Sequence, residues 1–178
     1  MTQKIIVLDR DGVINEDSDA FIKSADEWIP VAGSIDAIKR LKKAGWIVAV
    51  ATNQSGIKRG YYSHQTLSEM HQKFVDLLDG YTVDWISYAP YLTEDNSPAR
   101  KPGIGMLQAI ENRFGCSLAN APMVGDTMAD INVALAKSMQ PYLVRTGKGE
   151  RTLATGDNRL KDIPVYENLH AVVEALLA

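Results

Sequence analysis

Residues 5–13 read Ile5-Ile6-Val7-Leu8-Asp9-Arg10-Asp11-Gly12-Val13, a short apolar run that ends abruptly in two aspartates and a glycine. A continuous apolar run, without polar alternation, is the pattern of a strand buried on both faces of a parallel sheet. In such sheets ligands bind beyond the carboxyl ends of the strands. The run therefore points to the fold, and the acidic cluster after it to a site.

A second run, Ile47-Val48-Ala49-Val50-Ala51, has the same character. Between the two, residues 34–44 carry Ile35, Ile38 and Leu41 at helical spacing, with Ser34 as the expected N-cap and Gly45 as the stop. The alternation continues. A helix is expected over 63–78, with Leu67, Met70, Phe74, Leu77 and Leu78 on one side. A strand is expected over 84–89, a helix over 104–114, a short strand over 122–124, a helix over 129–137, a strand over 142–144 and a closing amphipathic helix over 168–177. Strands alternating with helices predict one α/β domain over 1–178: a Rossmann-like, doubly wound, mainly parallel sheet with helices on both faces. Two stretches lack periodicity, residues 11–30 and 90–102, and read as functional loops. Neither is large enough for a cap domain.

A net charge of −3 over 178 residues offers no electrostatic case for nucleic acid or an anionic membrane. The run 5–8 is too short for a signal-peptide core or a membrane span. The single cysteine, Cys116, excludes an intrachain disulfide and a multi-cysteine metal site. The expectation is a cytoplasmic monomer.

Every polar cluster of interest falls just after a predicted strand. Asp9 and Asp11 follow the first, Thr52-Asn53-Gln54-Ser55-Gly56 the second, Arg100-Lys101-Pro102 the third after a loop, and Gly125-Asp126 the fourth. Residues i and i+2 at an extended strand end point to one side, and two carboxylates so placed repel unless a cation or a proton lies between them. By itself Asp-x-Asp-Gly could equally be a solvated turn. With the other clusters it reads as a phosphoryl-transfer site. Asp9 would attack phosphorus, and Asp11, free to hold a proton, would act as acid and then base. Asp126 would bring a hard, oxygen-ligated cation. Thr52 and backbone N–H groups of the 52–56 turn would hold phosphoryl oxygens, and Lys101 would offset their charge. Arg100 could reach a second anionic group, and Asp130, four residues after Asp126, could orient it from behind. No Gly-x-x-x-x-Gly-Lys-Ser/Thr loop is present, and the histidines His64, His71 and His170 are scattered.

Four motifs in order, Asp9-Arg10-Asp11-Gly12-Val13, Thr52, Lys101 and Gly125-Asp126-Thr127-Met128-Ala129-Asp130, resemble the haloacid dehalogenase superfamily of phosphohydrolases. The stretches Leu8–Asn15, Ala51-Thr52-Asn53-Gln54-Ser55-Gly56-Ile57-x-Arg59-Gly60, Arg100-Lys101-Pro102 and Val144-Arg145-Thr146-Gly147 are similar to its branch of heptose bisphosphate and histidinol phosphate phosphatases. The resemblance implies a nucleophilic Asp9, an acid/base Asp11, and Mg²⁺ held by Asp9, the Asp11 carbonyl and Asp126. It implies that Thr52 and Lys101 stabilise the phosphoryl group. Substrate would be recognised by Asn53, Gln54, Ser55, Arg59, Arg100 and Thr127, with Asp17, Ser18, Asp19 and Ala20 contributing from the flap after the first motif. Members of this branch typically hold a structural zinc, through three cysteines and a histidine, in the loop before Arg-Lys-Pro. Here residues 90–99 contain neither residue type, so Mg²⁺ is expected and zinc is not. The implied substrate is a small phosphorylated sugar, a heptose bisphosphate first and histidinol phosphate or another small phosphomonoester second. A non-catalytic phosphate-sensing module is the reading from another class.

Overall fold

The computed structural model describes residues 3–178. Its centre is a parallel six-stranded sheet in the order β3-β2-β1-β4-β5-β6. The strands are β1 (Ile5–Leu8), β2 (Ile47–Asn53), β3 (Trp85–Ala89), β4 (Pro122–Gly125), β5 (Gln140–Val144) and β6 (Val165–Tyr166). The helices are α1 (Ser34–Lys43), α2 (His64–Leu77), α3 (Gly105–Phe114), α4 (Met128–Ala136), α5 (Gly149–Ala154) and α6 (Leu169–Leu177). The chain starts in the middle of the sheet, winds outward to β3, then returns to β4 and winds the other way. The direction reverses at β1, where β1 pairs with β2 on one side and β4 on the other.

β1 is apolar throughout because it is covered on both faces. Ile6 and Leu8 join the apolar layer containing Ile38, Leu41, Leu67, Phe74 and Val172, while Ile5 and Val7 join the layer of Met106, Leu107, Ile110 and Val133. Each such side chain removed from water contributes roughly 1.5–3 kcal/mol. The strand is thus the structural spine, and its end, Asp9, is correspondingly well fixed.

Several details differ from the sequence expectations. The N-cap of α1 is Gly33 (φ 84°), not Ser34, whose hydroxyl donates to the Val13 carbonyl at 2.7 Å and ties α1 to the first motif. Leu77 is half-exposed at the end of α2. α5 and β6, six and two residues long, were not expected, since neither is long enough to express a period.

Residues 11–30 are an organised flap. Asn15 bridges to both Asp11 and Pro30, and Trp28 is fully buried against Phe74 with ring centroids 5.6 Å apart. Lys73 of α2 donates to the carbonyls of Ala25 (2.8 Å) and Trp28 (2.6 Å). The flap's base is therefore part of the core, and its tip (residues 17–21) pairs Asp17 with Lys148 and Asp19 with Arg151. Residues 90–99 are held by main-chain-directed bonds: Asp95 accepts from the Leu92 N–H (2.8 Å), Arg100 donates to the Tyr91 carbonyl (3.0 Å) and the Gly105 N–H donates to the Pro98 carbonyl (2.8 Å). Among the described residues, no helix is long and apolar enough to cross a membrane.

Candidate active site

The ends of β1, β2, β4 and β5, with the loops after them, enclose a cleft of 470 Å³. It gathers Asp9, Asp11, Asp17, Ser18, Asp19, Asn53, Gln54, Ser55, Arg100, Lys101, Asp126 and Thr127 of the residues expected from sequence. Thr52 and Asp130 are buried behind this lining. Ala20 and Arg59 are exposed and do not line it; Arg59 instead stacks on Phe21, 5.7 Å from the ring centroid.

At the floor, Asp9 Oδ1 accepts from the Arg10 N–H at 2.7 Å and from Lys101 Nζ at 3.0 Å. Lys101 is shared, its ammonium also lying 2.6 Å from Asp130 Oδ1. Its backbone is aimed by Asn53, which accepts from the Lys101 N–H (3.0 Å) and donates to the Lys101 carbonyl (3.1 Å). This reciprocal pair is how a loop residue far from β2 is fixed beside it. Burial would weaken the Lys101 ammonium, but Asp130 and Asp9 more than compensate and hold its pKa above that of ordinary lysine.

Asp130 has no oxygen to spare. Oδ1 takes Lys101, and Oδ2 accepts from the backbone N–H of Asp126 and of Thr127 (both 3.2 Å) and from the Thr127 hydroxyl (2.9 Å). It is the acidic partner of a capping box that starts α4. The cap belongs to Thr127, which leaves the preceding Asp126 free to face the cleft.

Asp126 is cradled by two glycines. A Cβ on Gly12 or Gly147 would stand 2.2 or 2.4 Å from Asp126 Oδ2, and both residues have positive φ (82° and 59°). Asp126 Oδ2 accepts from the Lys148 N–H at 2.8 Å, whereas Oδ1 is buried and has no hydrogen-bond partner among the described residues. A buried, unpaired carboxylate oxygen is costly unless a cation meets it. Carboxylate oxygens of Asp9, Asp126 and Asp130 lie within 4.8 Å of one another, the one such metal-sized group among the described residues. Burial and the charge of Asp130 push the Asp126 carboxyl up to about 7, and burial and Asp130 likewise raise Asp9. Three carboxylates against one lysine, with only oxygen donors, fit a hard divalent cation held by Asp9 and Asp126.

Asp11 differs from expectation. It is not free to hold a proton in this conformation: Oδ1 accepts from Arg10 Nη2 (2.7 Å) and Asn15 Nδ2 (2.9 Å), and Oδ2 from Gln54 Nε2 (2.8 Å). Burial alone would raise its pKa, but the Arg10 charge and these hydrogen bonds outweigh it and hold the carboxyl below its ordinary value. Gln54 is correspondingly occupied, donating also to Thr52 Oγ1 (2.9 Å) and accepting from the Tyr62 hydroxyl. The expected anion nest narrows too, because the Gln54 N–H donates to the Ala89 carbonyl.

Sequence reasoning missed the group behind Asp11. Arg10 is 1% exposed, and its Nη1 lies 3.2 Å from His71 Nε2, which must accept and so carries its proton on Nδ1. Arg10 stood between the two aspartates as a signal: a cation there must either compete with them or serve one of them. Tyr62 packs its ring where Gly56 lacks a side chain. Lys148 follows directly on the Val144–Gly147 stretch.

A parallel sheet of this winding, with an aspartate at the tip of the central strand facing a buried lysine, is the framework of haloacid dehalogenase-like hydrolases, and residues 98–172 match the HAD-hydrolase-like family. Over 98% of its length the chain is 47% identical to a D-glycero-β-D-manno-heptose-1,7-bisphosphate 7-phosphatase of Pseudomonas putida, of which 99% is covered. It superposes with a TM-score of 0.94 on the D,D-heptose 1,7-bisphosphate phosphatase from B. bronchiseptica complexed with magnesium and phosphate, at 45% identity and 98% coverage of both chains. The corresponding enzyme from Burkholderia thailandensis gives a TM-score of 0.76 at 36% identity, covering 99% of both chains. The chain belongs to the heptose-1,7-bisphosphate 7-phosphatase family.

Proposed function

We propose that the protein is a Mg²⁺-dependent phosphatase that removes the 7-phosphate of D-glycero-β-D-manno-heptose 1,7-bisphosphate through an aspartyl-phosphate on Asp9, acting in the cytoplasm as a monomer. The observation that carries the mechanism is the arrangement on Asp9: the Arg10 N–H and Lys101 both bind Oδ1, leaving Oδ2 outside those contacts to attack phosphorus. The substrate follows from relatives that match the chain end to end.

Asp9 forms a bond to phosphorus as the bond to the sugar oxygen breaks, and that oxygen takes a proton from Asp11. Water then attacks the acyl phosphate while Asp11 takes its proton back, and phosphate leaves Asp9 as a carboxylate. Asp11 gripped by Arg10, Asn15 and Gln54 is in its proton-accepting state. To donate, it must give up part of that grip, since a protonated oxygen cannot accept the same set of donors. Lys101 and the Thr52 turn offset charge on the transferring group. Mg²⁺, held by Asp9, the Asp11 carbonyl and Asp126, would lower the repulsion between carboxylate and phosphate.

Phosphate release from both anomers of the heptose bisphosphate, histidinol phosphate and fructose 1,6-bisphosphate, each with Mg²⁺, tests the reading. The β-heptose compound is expected to give the highest kcat/KM, with Asp9→Asn inactive. Preference for histidinol phosphate overturns the substrate, and turnover in Asp9→Asn overturns the mechanism.

A further inference from the structure

Three cations line the cleft: Arg100, Lys101 and Lys148. Lys101 is committed to Asp9 and Asp130. Arg100 is partly committed to the Tyr91 carbonyl through Nη1. Among the described residues Lys148 has one ionic partner, Asp17 of the flap, 2.8 Å away, and Asp17 lines the same cleft. β5 leads to Lys148 on the β4 side of β1. Its backbone N–H is anchored on Asp126, and from there its ammonium reaches Asp17 of the flap.

A bisphosphate brings a second dianion that the Asp9 site does not use. An exposed ammonium meets a phosphate as a point charge without a fixed geometry, and a dianion attracts it more strongly than a single carboxylate does. Resting on the bisphosphate reading above, we propose that Lys148 is a specificity-determining residue that binds the phosphate remote from the one hydrolysed. Asp17 is the placeholder it exchanges for that phosphate. The flap is tied to the same segment a second time, by Asp19 and Arg151 in a two-point ion pair (3.1 and 3.0 Å), so losing the Asp17 contact need not free it.

The test compares the heptose 1,7-bisphosphate with the matching heptose 7-phosphate, which differs only by the anomeric phosphate. Lys148→Met is expected to raise KM for the bisphosphate at least about ten-fold more than KM for the 7-phosphate, as the loss of a charge-assisted hydrogen bond implies. Lys148→Arg should recover most of the difference, and Asp17→Asn should lower KM for the bisphosphate. Equal shifts for the two substrates in Lys148→Met overturn the proposal, as does a higher bisphosphate KM in Asp17→Asn. So does Arg100→Met separating the substrates where Lys148→Met does not. Wild-type protein that turns over neither heptose phosphate sinks the functional reading itself; wild-type protein that prefers the bisphosphate, with Lys148→Met shifting both alike, sinks only the role of Lys148.

Discussion

Lys101 and Asp130 form a buried ion pair, Nζ to Oδ1 2.6 Å, with side chains 2% and 1% exposed. Neither residue is adjacent to Asp9 in sequence, yet the pair sets the charge the nucleophile feels. Asp130 holds Lys101 on one side while Asp9 draws it from the other.

Removing Asp130 should therefore harm both stability and turnover. Asp130→Ala leaves a buried ammonium with one partner and breaks the capping box of α4, and such losses cost about 3–5 kcal/mol. Lys101 then collapses onto Asp9 and competes with its attack. The expectation is a lower unfolding midpoint and a kcat reduced on the order of 10²-fold, read by urea denaturation and steady-state kinetics.

Gly147→Ala tests the cradle of Asp126. The new Cβ would lie 2.4 Å from both Asp126 Oδ2 and the Gly12 Cα, at a φ of 59°. The backbone strain costs about 1–2 kcal/mol, but the larger effect is displacement of the carboxylate. The Mg²⁺ concentration for half-maximal activity should rise about 10–100-fold, the range for disturbed support of a metal ligand. A Mg²⁺ titration that matches wild type counts against Asp126 as a ligand.

His71 makes stability pH-dependent. Burial, and then the Arg10 guanidinium, lower its pKa from 6.5 to about 4. A group with a depressed pKa resists protonation in the folded state, so the unfolded chain takes up a proton first. Its contribution is constant above about pH 6.5 and declines as pH falls toward 4. His71→Gln, which keeps an acceptor for Arg10, should flatten the stability curve between those values, as measured by chemical denaturation across pH.

Phe74→Ala removes the ring on which Trp28 rests. A buried Phe-to-Ala change costs about 3–5 kcal/mol. Because Trp28 pins the flap's base, amide exchange at residues 25–30 should accelerate more than exchange in β4 or β5. Uniform acceleration would mean the flap is not a separately anchored unit.

The parallel sheet was legible because β1 and β2 are buried on both faces and so carry no polar interruption. Asp9, Lys101 and Asp126 were legible because each follows a strand or its loop, where little but function explains a polar cluster. Asp11 was legible as a participant but not in its state, which depends on Arg10, Asn15 and Gln54 arriving from different directions. Arg10 was missed for the same reason: it meets His71 of α2 across the fold, and no spacing rule links them. Tyr62 meets Gln54 within one loop, where no periodicity marks a partner. Arg59 and Ala20 follow from motif likeness alone, and the fold leaves them outside the cleft.

The loop over residues 90–99 is fastened through backbone carbonyls and amides and contains no sulfur. A fastening of that kind has no thiolate for an oxidant to convert. The hydrogen bonds that position Arg100 and Lys101 are thereby uncoupled from the redox poise of the surroundings. Peroxide exposure that dismantles a thiolate clamp would leave this stretch in place.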